Sequence, residues 1–280
     1  MKRFLILALT LAAILSPLLP KAEAGGKVLY FTHEPGKWHK YTPQKEIFLQ
    51  IAEKAGWEVT VQTGEHEPQV EWLRTKDFGK GYDAIVYNFC FAQSADLEAA
   101  SNLMDQTRIN GVPAILLHCS MHSWWPTYKS TDKEYDYAKG GSPDPLLFGK
   151  WEKTMGDKPF PSWGNFTGVA SVRHGPKLPI TLKRSDDNPV TAGLPDGYAT
   201  GDTELYNNVY VGDDVVPLIK GSQEGQDDAV VMWTAPRGKS RIVGLSWGHD
   251  VRDFESAPFQ QLLTDAIDDM IANPGPEAAK

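Results

Sequence analysis

Cysteine is almost absent: Cys90 and Cys119 are the only two in 280 residues. Two thiols cannot build a disulfide scaffold, so the fold must rest on an apolar core, and a 41% share of apolar residues can supply one. Each cysteine closes a predicted strand. An oxidising compartment would favour their pairing, and two buried free thiols fit the pattern equally well. Basic clusters are also missing, with 28 Lys and Arg against 36 Asp and Glu and a formal charge of −8. This excludes nucleic acid and anionic lipid as natural partners. No internal repeat is present.

Long apolar runs are lacking except at the amino terminus, where Phe4 to Pro20 follows Met1-Lys2-Arg3 and precedes Ala22-Glu23-Ala24. A basic start, an apolar middle and a small-x-small exit predict a signal peptide over residues 1–24, with Gly25 as the mature start. Pro17 and Pro20 break the run short of the ~20 residues that a membrane span needs. No cysteine near the cut marks a lipid anchor. The expectation is a periplasmic or secreted chain with no membrane contact after cleavage. Losing Lys2, Arg3, Lys21 and Glu23 moves the formal charge to −10. What remains suits a single domain over residues 25–272 with a frayed tail over 273–280.

What is present is a strand–helix rhythm. Lys27 to Thr32 reads as a first strand, emptying into a loop that carries His33 and His39. Thr42 and Pro43 are placed to cap a helix with Ile47, Phe48, Ile51 and Ala52 inward, stopped by Gly56. Strands follow at 57–62, 82–88 and 112–117, with a second helix capped by Ser94 or Asp96 and closed by Gly111. Repeated βα units of this length predict a parallel sheet with helices on both faces. From Ser120 to Asn165 the pattern lapses into an insertion rich in Gly, Pro and Trp, a candidate lid, with a helix near Asp144 to Thr154 as the alternative. Further short strands are expected at 167–173, 178–184, 215–220, 229–234 and 241–246. The last two flank turn residues 235–240 and predict a β-hairpin added at one side of the sheet. A closing helix at 258–271 presents Phe259, Leu262, Leu263, Ala266, Ile267 and Met270 to the core.

Open α/β sheets bind ligands beyond the carboxyl ends of their strands. Four predicted strand ends collect unusual residues: His33 and His39; Phe89 and Cys90; His118 to His122 with Trp124; and Trp247 to Asp250. A fifth piece, Asp202 to Tyr206, is expected in a loop. Five of the seven histidines lie at these ends, with His66 and His174 outside. Three chemistries fit. The first is a nucleophilic Cys119 with His249 as base and Asp250 or Glu204 as orienter, although the glycines of a nucleophile elbow are missing around Cys119. The second is acid–base chemistry by His118, His249 and Glu204. The third is a divalent metal such as zinc, held by His33, His39, His118, His122, His249 or Glu204. His118 and His122 have zinc-site spacing only on a helix.

The ordered set YDAIVYN (82–88), VPAILLH (112–118), DDNPVTAGLP (186–195), DTELY (202–206) and VVMWTAPRGKSRIVGLSWGHD (230–250), followed by the helix APFQQLLTDAI, resembles the ThuA-like family, named for trehalose utilisation. The resemblance covers nearly all of residues 27–272. It implies a flavodoxin-like sheet, the fold of the class I glutamine amidotransferases, and a link to carbohydrate metabolism. It further implies site roles for His118, for Glu204 and Tyr206 as an acidic-x-Tyr pair, and for His249. Cys119 falls near the amidotransferase nucleophile but is not a feature of ThuA-like proteins. The sequence therefore predicts an exported protein acting on a carbohydrate or oxidised sugar derivative, as a hydrolase, lyase or isomerase. His118, Glu204 and His249 would react, and His33, His39, Trp124, Tyr206, Trp247 and Asp250 would bind substrate. The alternatives are a non-catalytic sugar-binding module and an amidotransferase-like hydrolase using Cys119.

Overall fold

A computed structural model describes residues 25–127 and 144–276. The predicted signal peptide, the end of the tail and residues 128–143 of the insertion lie outside the described residues. Strands β1 (Lys27–Thr32), β2 (Glu58–Gln62), β3 (Ala84–Asn88) and β4 (Ala114–Leu117) alternate with helices α1 (Tyr41–Ala55), α2 (His66–Trp72) and α3 (Leu97–Arg108). After β4 come two short 3₁₀ turns, then α4 (Pro145–Met155), α5 (Trp163–Thr167) and β5 (Val169–Ala170). Next are the antiparallel strands β6 (His174–Arg184), β7 (Tyr198–Tyr206), β8 (Tyr210–Val211), β9 (Val216–Ser222) and β10 (Ala229–Arg237). The chain closes with β11 (Ser240–Leu245), α6 (Val251–Glu255) and α7 (Ala257–Ala272).

Nine strands form one sheet in the order β2-β1-β3-β4-β11-β10-β9-β6-β7. The first five run parallel, in the flavodoxin-like order in which the chain winds outward from a switch point. The remaining four are antiparallel. The β10–β11 hairpin is thus not an addition at one side: β11 pairs with β4, so the hairpin joins the parallel half to the antiparallel half in mid-sheet.

Alternation along each buried strand explains the layers. In β1, Val28 and Tyr30 pack in one core with Phe48 of α1 and with Phe259, Leu263 and Met270 of α7. Leu29 and Phe31 point to the other face and pack with Leu103 of α3 and Phe166 of α5. Each fully buried Leu or Phe contributes about 1.5–3 kcal/mol.

Local signals act largely where expected. Asp96 caps α3 by accepting from the Ala99 N–H at 3.0 Å. Asp144 caps α4, so the helical alternative holds for that part of the insertion. Gly56 ends α1 in the left-handed conformation. Two expectations fail. Helix α1 starts at Tyr41, and Thr42 bonds the Glu34 carboxylate instead of capping. Residues 202–206 are not a loop but the end of β7, which places Glu204 and Tyr206 on one face of a strand.

Candidate active site

Strand β4 ends at Leu117 and turns abruptly at the next residue. His118 sits at φ +40°, a left-handed backbone that few non-glycine residues adopt. The strained turn beyond this strand is therefore present without flanking glycines, and its occupant is His118 and not Cys119. The His118 Nδ1–H donates to the Ser246 carbonyl at 2.6 Å, which leaves Nε2 as the acceptor. That nitrogen receives the Tyr206 hydroxyl at 2.9 Å and lies 3.5 Å from Glu204 Oε2.

His249 is presented by Gly248, whose φ of +129° is open to glycine alone. Its carbonyl accepts from His39 Nδ1 at 3.0 Å and from Gln44 Nε2 at 3.2 Å. Its Nδ1 lies 3.1 Å from Glu204 Oε2, and its Nε2 lies 2.6 Å from Lys177 Nζ. With the lysine ammonium donating to Nε2, the imidazole proton resides on Nδ1, directed at the carboxylate. Glu204 is the hub, since its other oxygen, Oε1, faces His174 Nε2 at 3.7 Å and Lys177 Nζ at 3.9 Å.

Burial would raise the Glu204 carboxyl, but its close contacts with the His118 and His249 imidazoles outweigh burial and hold it well below the carboxylate range. Burial pushes the His118 imidazole below its ordinary value, against the pull of Glu204. Burial also takes His39 down to about 3 and His33 to about 4, aided by neighbouring imidazoles. These rings are neutral at neutral pH.

The cleft in front of these groups measures about 600 Å³. His39, His249, Glu204, Tyr206 and Lys177 line it, and Trp38, 67% exposed, stands at its edge. His118 is only 1% exposed and lies one layer behind, reaching the cleft through Tyr206, Glu204 and His249. His33 lines the cleft while its Nε2 accepts the Cys90 N–H at 3.3 Å. His66 and His174, which the sequence left outside, line the same cleft. With Lys177 they are what sequence reading missed. The β6–β7 pairing, Lys177 opposite Glu204 and His174 opposite Tyr206, is the signal that would have found His174 and Lys177.

Three expected contacts are corrected. Trp124 is fully buried among Phe89, Phe91 and Trp163, and its indole N–H bonds the Asp96 carbonyl. Trp125 lines the cleft in its place. Trp247 is likewise core, against Tyr198 and Phe259, with its N–H on Asp253. Asp250 caps α6 in a capping box and pairs with Arg252, outside the main cleft. His118 and His122 do share one 3₁₀ turn. His122, however, bonds Ser171 and stacks on Tyr206, and it joins no metal-capable group among the described residues.

Two groups of residues could hold a cation: His39, His118 and His249, and separately His39, Cys90 and Cys119. In the first, backbone carbonyls anchor Nδ1 of His39 and His118, the arrangement that metal-binding imidazoles require, which leaves Nε2 of His39 available and Nε2 of His118 available once the Tyr206 hydroxyl is displaced from it. His249 fits only if its Nδ1 proton leaves. In the second, the sulfurs are joined in a disulfide with Cα atoms 5.0 Å apart. The same bond removes Cys119 from nucleophilic chemistry.

No family model and no curated protein matches this chain. Solved structures do. A ThuA-like protein from Bacteroides uniformis ATCC 8492 aligns over 90% of this chain and 94% of its own, at 15% identity and a TM-score of 0.60. One from Parabacteroides merdae ATCC 43184 aligns over 91% and 93%, at 16% identity and a TM-score of 0.61. The fold is the ThuA-like fold. At such identity the likeness covers the scaffold, and the reaction must be argued from the residues. In this ThuA-like scaffold the parallel half brings His39, His118 and the cysteines, and β6–β7 bring His174, Lys177, Glu204 and Tyr206.

Proposed function

We propose that this chain is an exported enzyme performing acid–base chemistry on a small polyhydroxylated substrate, a carbohydrate or an oxidised sugar derivative. The observation that carries the reading is the Glu204–His249 pair at the cleft floor, with the carboxylate 3.1 Å from Nδ1 and Nε2 turned to Lys177. A carboxylate that fixes Nδ1–H makes the far nitrogen the proton acceptor and stabilises the imidazolium that forms. Once a bound substrate displaces the Lys177 ammonium from it, His249 Nε2 takes a proton from a substrate hydroxyl or carbon acid. Lys177 stands where it can donate to the oxygen that gains charge. His118 acts from behind as a positioning residue, holding Tyr206 and Glu204 in register. The exposed Trp38, with Lys37 Nζ 4.7 Å from its ring centroid, offers a face for a sugar ring. The carbohydrate class is supported by the family resemblance of the sequence, and export by the signal-like amino terminus.

A second reading, metal-assisted chemistry, is favoured by the anchored imidazoles of His39 and His118. A divalent ion bound there with His249 would polarise a substrate carbonyl or hydroxyl.

The test is an NMR-monitored panel of neutral sugars, sugar acids and keto-sugars. Wild type should turn over at least one, and His249→Ala and Glu204→Gln should each lose about 10²- to 10⁴-fold in rate. Binding of the same compounds with unchanged affinity in His249→Ala, with no turnover in wild type, would establish a binding module instead.

A further inference from the structure

The disulfide lies in an unusual place. Cys90 and Cys119 both line the cleft, at 8% and 6% exposure, beside the imidazole of His39. Ligand atoms of these three residues lie within 4.8 Å of one another. His39 has its Nδ1–H committed to the His249 carbonyl at 3.0 Å, so its uncommitted nitrogen is Nε2. Tyr41 packs in one cluster with both cysteines, and its buried hydroxyl has no hydrogen-bond partner among the described residues.

We propose that reduction of the Cys90–Cys119 bond opens a second site, a Cys₂His set for zinc, with both Sγ atoms and His39 Nε2 as ligands. Two thiolates and one imidazole match zinc's preference for soft and borderline donors, and the cleft leaves a fourth position for water or substrate. Zinc–sulfur bonds of about 2.3 Å set the two sulfurs about 3.8 Å apart in a tetrahedron, a separation that side-chain rotation supplies. The chemistry balances. A dithiol reductant is oxidised to its own disulfide as the S–S bond breaks and two protein thiols form, and zinc then displaces their two protons. His39 belongs to both metal-capable groups. The redox state of the sulfurs therefore decides whether it serves the imidazole set with His118 and His249 or the thiolate set.

The experiment uses Co²⁺ as the probe, on the full chain carrying His118→Ala and His249→Ala so that the imidazole set is gone and the outcome is independent of the proposed reaction. After dithiol treatment and removal of the reductant, the protein should bind one Co²⁺ with a thiolate-to-metal charge-transfer band. The untreated protein should show none. Adding Cys119→Ser, which forbids the disulfide, should give about half the band without any reductant. Adding His39→Ala should weaken binding by more than the roughly 100-fold that loss of an outer-shell partner alone can cost. No charge-transfer band in either the reduced or the Cys119→Ser protein, or a band indifferent to His39→Ala, overturns the site.

Discussion

At the scale of single residues, burial of neutral imidazoles is the dominant fact. His33, His39, His118 and His122 are each at most 6% exposed, and burial lowers all four below the ordinary 6.5. The unfolded chain takes up these protons below about pH 6.5, while the folded chain resists until about 4 for His33 and about 3 for His39. The unfolded state thus binds more protons, and stability is fully present above pH 6.5 and is lost as pH falls through that window. Each such histidine costs about 1.4 kcal/mol per pH unit once the unfolded form is protonated. Glu204, held ionised in the fold, adds a loss of the same sign at lower pH. The urea midpoint should fall steadily between about pH 7 and pH 4.5, several-fold more steeply than one histidine explains. A flat profile would mean that these rings are solvated or already charged.

At the scale of elements, the β10–β11 hairpin bears most of the positional burden. Trp233 and Gly244 face each other across it, and a Cβ at residue 244 would clash with the indole, 2.2 Å from its nearest carbon. The indole N–H also ties β10 to the Thr167 carbonyl. Gly244→Ala must displace that ring, at a cost of about 1–3 kcal/mol by urea denaturation. The shift would reach Ser246, two residues on, whose carbonyl fixes His118. This element also shows where sequence reading stops. The hairpin itself is legible from its turn residues, as are β1, β3 and β4 from their apolar runs and β2 from its alternation. The hairpin's mid-sheet position is not, because an apolar strand reads alike at an edge and at the centre. Glu204 and Tyr206 were singled out, yet taken as loop. The short polar run around them gives no period, and the Lys177 partner lies 27 residues away. The tryptophans misled for a related reason: Trp124 and Trp247 flank site histidines in sequence, and the backbone turns them into the core.

At the scale of the whole molecule, the sheet is two halves that meet at a seam beneath the cleft. The parallel half ends in imidazoles and sulfurs, and the antiparallel half returns with a carboxylate, a phenol and a lysine. Neither half alone makes the site: Glu204, Tyr206, His174 and Lys177 ride on paired strands, while His39 and His249 come from the segments that follow β1 and β11. Rigid elements suit a site that must hold a proton acceptor oriented between two donors. The account turns on one arrangement within that seam, the His249 ring with its proton on Nδ1, held by Glu204, and its Nε2 lone pair toward the Lys177 ammonium. Nitrogen-15 NMR of imidazole-labelled protein, at a pH where histidines are neutral, reads that proton directly, with His249→Ala giving the assignment. The predicted result is a His249 Nδ1–H tautomer that shifts toward Nε2–H in Glu204→Gln. A wild-type His249 carrying its proton on Nε2, or a tautomer that ignores Glu204→Gln, would contradict it.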